Sequence, residues 1–401
     1  MKRREFLGAW ALPAFSMQTG SPNILLFMTD QESALLPGPA ALPNRKRLLD
    51  GGAVFTNAFC NTPQCSPARS SLMTGLEPHR TGVLTNIDGA SVGKGLKEST
   101  PTLAKAAKAA GYATGYFGKW HLGNQGSGLK QFGWDTFETG SDEDVSAKAA
   151  AWIRKQKSPW LAWVSVLNPH EIYSLVHVKL REGVKPPHSG LKDLESKPAE
   201  QREFIDKDQG KAVIDYKPED WLRYRSYYLE LLERTDACLG MVLDAVPATP
   251  SIVAYTSDHG DALGEHGLPF KGPFMYEELI RIPMIVKAEG RIRAGARDEL
   301  TTQADLSRLI ASLAGLQGLL RPEMTRDAVF LEYYAKQKWV NPIRTIRTRR
   351  YKLNWYDRGN RELYDLLKDP HETNNLANDA TFASVRKDLE NRLNLWRGPM
   401  M

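Results

Sequence analysis

The stretch NILLFM, residues 23–28, is a short apolar run that ends at Thr29-Asp30-Gln31. A continuous apolar run of this length, bounded by polar residues, predicts a strand buried on both faces. Three further runs share the design and end before polar residues. They are residues 112–117, 160–167 and 251–256, followed by Gly118-Lys119-Trp120-His121, Asn168-Pro169-His170 and Ser257-Asp258-His259. The sequence therefore predicts four buried strands, each followed by side chains able to bind or react.

Helical patterns lie between these strands. They cover residues 101–110, with Thr100 as the expected N-cap, and residues 221–246 and 304–314. Strands that alternate with helices predict an α/β fold, with a central, mostly parallel sheet flanked by helices. Ligands bind beyond the carboxyl ends of the strands in such sheets, so the polar residues that follow the strands should converge there.

The pattern changes near residue 327, where three short alternating runs (328–334, 343–348 and 351–355) precede a helix at 383–396. They predict a small C-terminal antiparallel sheet with one helix. The basic cluster of this region should form a solvated hairpin; it comprises Arg344, Arg347, Arg349, Arg350 and Lys352. We predict a large α/β domain at 21–325 and a C-terminal subdomain at 326–401. The polar segment 176–220 is either a lid facing the substrate or a flexible excursion.

The amino-acid composition favours some classes of protein and excludes others. The 401 residues are 42% hydrophobic and 25% charged, which is typical of a soluble globular protein of about two domains. The net charge of +6 is mild, and no basic face with interleaved aromatic residues is visible, so nucleic-acid binding is not expected. Three cysteines are too few for a disulfide scaffold. No segment is long and apolar enough to predict a membrane span.

The first twenty residues have the character of a targeting segment. Lys2, Arg3 and Arg4 precede a short apolar run at 7–15, and together they resemble a twin-arginine export signal. This resemblance implies a periplasmic or exported protein that is translocated already folded. The alternative is a disordered basic tail.

A cysteine stands at a predicted helix start in the run Cys65-Ser66-Pro67-Ala68-Arg69. Ser66 is the expected N-cap, Pro67 the first helical residue and Gly75 the end of the helix. Free N–H groups at a helix N-terminus favour an anion, so the surroundings of Cys65 suit a bound oxyanion.

This run, with Thr74-Gly75 and the stretch PHRTG at 78–82, resembles the signature of the formylglycine-dependent sulfatases of the alkaline phosphatase superfamily. The resemblance implies an alkaline-phosphatase-like fold. It also implies that a maturation enzyme oxidises Cys65 to formylglycine, the catalytic nucleophile. Residues 362–377 resemble the C-terminal tail of the same family.

Two pairs of residues that follow strands are candidate metal ligands. They are Asp30 with Gln31, and Asp258 with His259. Carboxylate and amide oxygens suit a hard divalent cation, Ca²⁺ before Mg²⁺, while the histidine nitrogen also admits Mn²⁺. The resemblance adds residue 65 to the shell. Gln31 departs from the usual family pattern because an amide replaces a carboxylate.

The resemblance also assigns catalytic roles. Arg69 would hold the aldehyde hydrate, and Lys119 and Lys271 would contact the sulfate. His121, in Gly-Lys-Trp-His-Leu-Gly, would be the base on the second hydroxyl of the hydrate. His170 would protonate the leaving group, although the proline that usually follows in the family is missing here.

These residues together predict hydrolysis of sulfate monoesters, of a sulfated small molecule or carbohydrate. Two alternatives stay open on the sequence. One is a phosphonate monoester or phosphodiester hydrolase of the same superfamily, and the other is a non-catalytic, metal-bound glycan-binding protein.

Overall fold

A computed structural model describes residues 20–87, 94–123, 128–157, 159–174, 178–336 and 339–397. Its strands are β1 (Asn23–Asp30), β2 (Ala53–Phe59), β3 (Ala113–Gly118), β4 (Thr136–Glu138), β5 (Trp160–Pro169), β6 (Ser251–Ser257), β7 (Met284–Lys287), β8 (Gly295–Thr302), β9 (Ala328–Lys336), β10 (Trp339–Thr348), β11 (Tyr351–Tyr356) and β12 (Arg361–Asp365). Its α-helices are α1 (Pro43–Leu49), α2 (Cys65–Thr74), α3 (Pro78–Thr81), α4 (Leu103–Ala109), α5 (Asp142–Lys155), α6 (Ala199–Lys207), α7 (Pro218–Leu243), α8 (Glu277–Ile280), α9 (Gln303–Ala314) and α10 (Ala383–Arg397).

Eight strands form one sheet in the order β4-β3-β5-β1-β6-β7-β2-β8. Every neighbouring pair is parallel except the two pairs that include β7. The strand β1 lies at the centre, with Ile24 opposite Leu161 of β5 and Ile252 of β6. The prediction of a mostly parallel sheet is therefore confirmed.

Helices cover both faces of this sheet. Along β1 the side chains alternate between the two cores, with Leu26 in one and Phe27 in the other. Helices α2, α4 and α9 pack on the face of Leu26, while α5 and α7 pack on the face of Phe27. Burial on both faces explains why β1 has the continuous apolar run that predicted it.

Two helix starts differ from the sequence prediction. The N-cap of α4 is Thr102, whose hydroxyl accepts a hydrogen bond from the N–H of Lys105 at 3.1 Å, so Thr100 was the wrong choice. The N-cap of α2 is Gln64, and Ser66 lies inside the helix. The hydroxyl of Ser66 instead accepts from the N–H of Ile87, and its own N–H donates to Asn86 Oδ1. Ser66 thus forms its hydrogen bonds with the neighbouring residues 86–87 and does not cap the helix.

The C-terminal strands form a second, antiparallel sheet in the order β12-β11-β10-β9, against which α10 packs. The prediction of an antiparallel sheet with one helix is confirmed, although it missed β12. The predicted solvated hairpin is wrong for two of its members, because Arg347 and Lys352 are buried and pair with Glu277 of α8. Burial became favourable there because an acidic partner is supplied by the large domain.

Segment 176–220 is ordered wherever the structure describes it. Residues 178–220 contain two short 3₁₀ helices and α6, and Phe204 and Ile205 of α6 are fully buried in the main core. The export signal predicted for residues 1–20 lies outside the described residues except for Gly20. Among the helices that the structure describes, none is both long and apolar enough to cross a membrane.

Candidate active site

The carboxyl ends of the central strands surround a cavity of about 390 Å³. Because neighbouring parallel strands end at the same edge of a sheet, Asp30 of β1 lies opposite Pro169 of β5, and Gly118 of β3 lies opposite Ser165. The residues that line the cavity include the predicted Cys65, Lys119, His121, His170 and Lys271. The structure therefore brings together five of the six predicted catalytic residues at one cavity, and the sixth, Arg69, lies beneath them.

Cys65 is the first residue of α2, whereas the sequence predicted that this helix begins at Pro67. The Sγ of Cys65 lies 2.9 Å from Lys271 Nζ, 3.2 Å from His259 Nε2 and 3.8 Å from Lys119 Nζ. Burial alone raises the pKa of a thiol, but these three groups outweigh it and hold the pKa of Cys65 well below its ordinary value. The site therefore stabilises negative charge at position 65.

The other two cysteines lack such surroundings. Cys60 and Cys238 are buried and free, and burial raises the pKa of both thiols, to about 12 for Cys238. Only Cys65 among the three has the electrostatic surroundings of a reactive group.

Arg69 lies one helical turn after Cys65 and is buried. Its guanidinium donates to Asp258 Oδ2 at 2.9 Å and to Asp30 Oδ2 at 2.7 Å. It also donates to the Ser165 hydroxyl and to the carbonyl of Lys119. One planar group thus fixes both carboxylates and the loop after β3, which a point charge could not do.

Lys119 and His121 follow β3 in a tight bend. Lys119 Nζ donates to Asp30 Oδ2 at 2.5 Å. His121 has φ of 58°, in the left-handed region that residues other than glycine rarely occupy, so the fold over-determines its position. Its Nδ1 is buried and has no hydrogen-bond partner among the described residues.

Lys271 and Gln31 contact each other beside the thiol. Gln31 Oε1 accepts from Lys271 Nζ at 3.1 Å, and Gln31 Nε2 donates to Asp261 Oδ2 at 2.7 Å. The amide of Gln31 thus joins the ammonium of Lys271 to a buried carboxylate. Its predicted role as a metal ligand stays a prediction, since both ends of the amide already have protein partners.

His170 closes the cavity from the end of β5. Its ring packs against Tyr173, with ring centroids 4.9 Å apart, and Tyr173 stacks on Phe270. Burial first, and then the positive charge of Lys271, hold the pKa of His170 below its ordinary value. The lowered pKa favours the neutral imidazole in the free site, whereas the negative charge of a bound sulfate ester would raise the pKa again and favour the protonated form that a general acid needs.

The side chains of Asp30, Cys65, Asp258 and His259 place one ligand atom each within 4.8 Å of one another, and all four are buried. The ring Nδ1–H of His259 donates to the carbonyl of Gly260 at 2.8 Å, which leaves Nε2 as the nitrogen that faces the cluster. Two carboxylates and an imidazole are a donor set that suits a divalent cation, so the residues fit the metal site that the sequence predicted.

The electrostatics of the two carboxylates differ. Burial would raise the pKa of Asp30, but Lys119, His170 and Arg69 outweigh it and hold that pKa well below the ordinary value. Burial and the adjacent charge of Asp30 raise the pKa of Asp258. The two like charges thus lie close together and share one cationic partner, Arg69. A bound cation would reduce the repulsion between them.

Sequence reasoning missed several residues in and around this cavity. Ser165, which binds Arg69, was visible as a lone hydroxyl within the apolar run of β5. The other missed residues had no such local signal, because distant segments bring them to the cavity. They include Tyr173, Gln209, Tyr333 and Lys336.

Comparison with known proteins gives a consistent result. A family model described as Sulfatase matches residues 22–316, and one described as N-sulphoglucosamine sulphohydrolase, C-terminal, matches residues 264–398. A choline-sulfatase of Rhizobium meliloti (strain 1021) is 29% identical over 438 residues, covering 90% of this chain and 83% of that protein. A Delta 4,5-hexuronate-2-O-sulfatase of Bacteroides thetaiotaomicron is 27% identical, covering 83% and 79%.

The solved structures agree on the fold. A phosphonate monoester hydrolase of Agrobacterium radiobacter superposes with a TM-score of 0.80 at 22% identity, covering 94% of this chain and 95% of that one. At this identity the likeness shows the fold alone. It shows the alkaline-phosphatase-like architecture that the sequence predicted.

Proposed function

Because the chain belongs to the sulfatase family and is a sulfuric ester hydrolase, we propose that it hydrolyses sulfate monoesters of carbohydrates with a formylglycine formed from Cys65. The observation that carries this proposal is the position of Cys65. Its Sγ lies 2.9 Å from Lys271 Nζ and beside Lys119 and His259, in a cavity at the carboxyl ends of the strands. Such surroundings favour both an oxygen anion at residue 65 and a bound sulfate.

In this proposal Asp30, Asp258 and His259 hold one divalent cation, Ca²⁺ first, with Mg²⁺ or Mn²⁺ as alternatives. The cation, when bound, supplies positive charge next to residue 65. Gln31 completes the set only if its amide gives up the hydrogen bond from Lys271. Arg69 keeps the two carboxylates in place and balances their charge.

The remaining side chains act on the ester. One hydroxyl oxygen of the hydrated formylglycine forms a bond to sulfur while the bond from sulfur to the alcohol oxygen breaks. Lys119 and Lys271 bind the sulfuryl oxygens and stabilise the charge that grows on them during this attack. His170 donates a proton to the departing alcohol oxygen. His121 accepts the proton of the second hydroxyl at residue 65, so that the C–O bond to sulfate breaks, sulfate leaves and the aldehyde is restored.

A hexuronate sulfatase that matches most of the chain supports a carbohydrate substrate, whereas the choline-sulfatase is named for a different alcohol. A phosphonate monoester hydrolase shares the fold, but no residue of this cavity favours phosphonate over sulfate, so that activity enters only as an outcome of the test. We further propose maturation by a formylglycine-generating enzyme and export to the periplasm.

The test is mass analysis combined with turnover. The tryptic peptide of residues 48–69 from protein produced with a maturation enzyme should carry an aldehyde in place of the Cys65 thiol. The same preparation should release sulfate from sugar sulfates faster than it cleaves an aryl phosphonate monoester. Unmodified Cys65 in active protein would refute the nucleophile, and preference for the phosphonate would refute the reaction.

A further inference from the structure

Part of the cavity wall comes from outside the large domain. Tyr333 and Lys336 belong to β9 of the small C-terminal sheet, and Gln209 belongs to the segment between α6 and α7. The groups in contact with the thiol of Cys65 come from other segments, and Lys271 is the nearest of them. The three residues therefore face the part of the cavity that receives the remainder of the substrate.

Two of these side chains present unused hydrogen-bonding atoms. Tyr333 is 2% exposed, and its hydroxyl has no partner among the described residues. The Oε1 atom of Gln209 is buried without a partner in the same part of the structure. A buried polar atom without a partner is unfavourable. Both residues line the cavity, so a polar ligand bound there would supply the missing partners once these side chains turn toward it.

Lys336 is held in position beside them. Its Nζ lies 3.1 and 3.2 Å from the two carboxylate oxygens of Asp208 and 5.1 Å from the centre of the Phe204 ring. An ammonium group has three N–H donors, and one carboxylate can accept two of them. A donor of Lys336 thus remains for a ligand.

Lys336 is also the third lysine that lines the cavity, after Lys119 and Lys271. The first two face the thiol, where the sulfate to be cleaved would lie. A third ammonium group, farther along the wall and outside the reacting centre, suits a second negative charge on the substrate. It disfavours a cationic alcohol such as choline.

We propose that Tyr333, Lys336 and Gln209 form a subsite for a second anionic group, a carboxylate or a further sulfate, on the sugar that leaves. The inference deepens the proposed function and rests on it. Lys336 pairs with the anion. On turning toward the ligand, Tyr333 donates its hydroxyl to the anion and Gln209 accepts from a neighbouring sugar hydroxyl. The C-terminal sheet thereby contributes to substrate choice and takes no part in the chemical step.

The experiment compares matched sugar sulfates on matured protein. One pair is glucose 2-sulfate and glucuronate 2-sulfate, which differ only in that a carboxylate replaces the hydroxymethyl group. The other is N-acetylglucosamine 6-sulfate and N-sulfoglucosamine 6-sulfate, which differ by a second sulfate. Choline sulfate is the fifth substrate. Within the pair that the protein hydrolyses, we expect kcat/KM to be about tenfold higher for the more anionic sugar. Which of the two pairs is hydrolysed shows whether the second anion is a carboxylate or a sulfate.

Substitutions separate this subsite from general effects. Lys336→Met should raise KM for the anionic sugar about tenfold, with kcat and the KM for its neutral partner changed by less than about twofold. Asp208→Asn should lower KM for the anionic sugar, because it removes the competing carboxylate. Lys207→Met, at an exposed lysine of α6, is the matched control and should change nothing.

Equal effects of Lys336→Met on both members of a pair would overturn the subsite, as would faster turnover of the neutral sugar or of choline sulfate by the unsubstituted protein. If no sugar sulfate is hydrolysed although residue 65 is an aldehyde, the proposed carbohydrate sulfatase activity itself is refuted. The failure of the subsite and the failure of the function therefore give different results.

Discussion

The three cysteines show how surroundings decide the chemistry of a residue. All are buried, yet only Cys65 has ammonium groups against its sulfur, and burial raises the pKa of Cys60 and Cys238 instead. Cys65 is therefore the one thiol of the three whose anion the structure stabilises. In the proposed mechanism the same cations stabilise the oxygen group that replaces the sulfur.

The first prediction concerns this residue. Cys65→Ser should lose turnover of sugar sulfates, because serine has one hydroxyl and cannot expel sulfate by forming an aldehyde. Mass spectrometry after incubation with substrate should find either unchanged protein or a sulfate ester on the serine of the variant peptide. Cys238→Ser, in the core beside α5, is the control and should keep activity. Full turnover by Cys65→Ser would contradict the mechanism.

A second prediction concerns the carboxylates. Asp258 belongs to the cluster that fits a cation, whereas Asp261, also buried and only three residues later, binds Gln31 and Tyr224 instead. Saturating Ca²⁺ should raise the melting temperature of the native protein, since a ligand at 100 times its Kd stabilises by about 2.7 kcal/mol.

Asp258→Asn should abolish that rise, and Asp261→Asn should keep it. Calorimetry in EDTA and in excess Ca²⁺ measures both. An unchanged calcium effect in Asp258→Asn would show that the cation binds elsewhere.

Among the elements, the approach of β3 to β5 sets the geometry of the site. Gly118 ends β3 with φ of 105°, and a Cβ there would lie 2.0 Å from the carbonyl oxygen of Ser165. Lys119 follows directly, and its N–H donates to that same carbonyl. Only glycine allows this contact, so the position of Lys119 depends on the absence of a side chain one residue earlier.

We therefore predict that Gly118→Ala destabilises the fold by at least about 2–3 kcal/mol, which combines backbone strain and a clash. Gly111→Ala is the matched control, because its φ is 86° but no atom lies within 4 Å of the added carbon. It should cost only about 1 kcal/mol. Urea unfolding gives both values, and equal losses would show that the contact with Ser165 relaxes easily.

For the whole molecule, the small sheet docks through buried charges. Arg347 and Lys352 pair with Glu277, and Lys352 also pairs with Glu372 at 2.6 Å. Glu278 lies at the same interface. Burial, followed by the charges of Glu372 and Glu265, raises the pKa of Glu278 to about 8. The interface thus contains an acid that is protonated in the folded protein near neutral pH.

This arrangement makes stability depend on pH. Because the folded pKa of Glu278 exceeds the ordinary value of 4.5, the folded protein binds more protons than the unfolded chain between about pH 4.5 and 8. Its contribution to stability is therefore greatest at low pH and is lost as pH rises through that range. Glu278→Gln should leave stability unchanged near pH 5 and increase it by a few kcal/mol at pH 9.

Melting temperatures at pH 5, 7 and 9 test this expectation. Glu219→Gln, at an exposed residue of α7, is the control and should shift the curve equally at every pH. If Glu278→Gln were destabilising at pH 9, the carboxylate would have to be paired rather than protonated.

The sequence by itself determined the features that depend on neighbours along the chain. Apolar runs such as residues 23–28 specify buried strands, their alternation with helices specifies a parallel sheet, and strand ends place Asp30 and Asp258 at one edge. The motif around Cys65 and the conformation that Gly75 adopts at the end of α2 are equally local.

The tertiary structure decided what depends on distant partners. Ser66 lost its capping role to residues 86–87, and Arg347 and Lys352 became buried because Glu277 met them across the interface. Lys336 reaches the cavity only because the small sheet docks beside the large one. Local sequence encodes propensity and burial pattern, whereas the partner of each buried charge is fixed by packing between segments far apart in the chain.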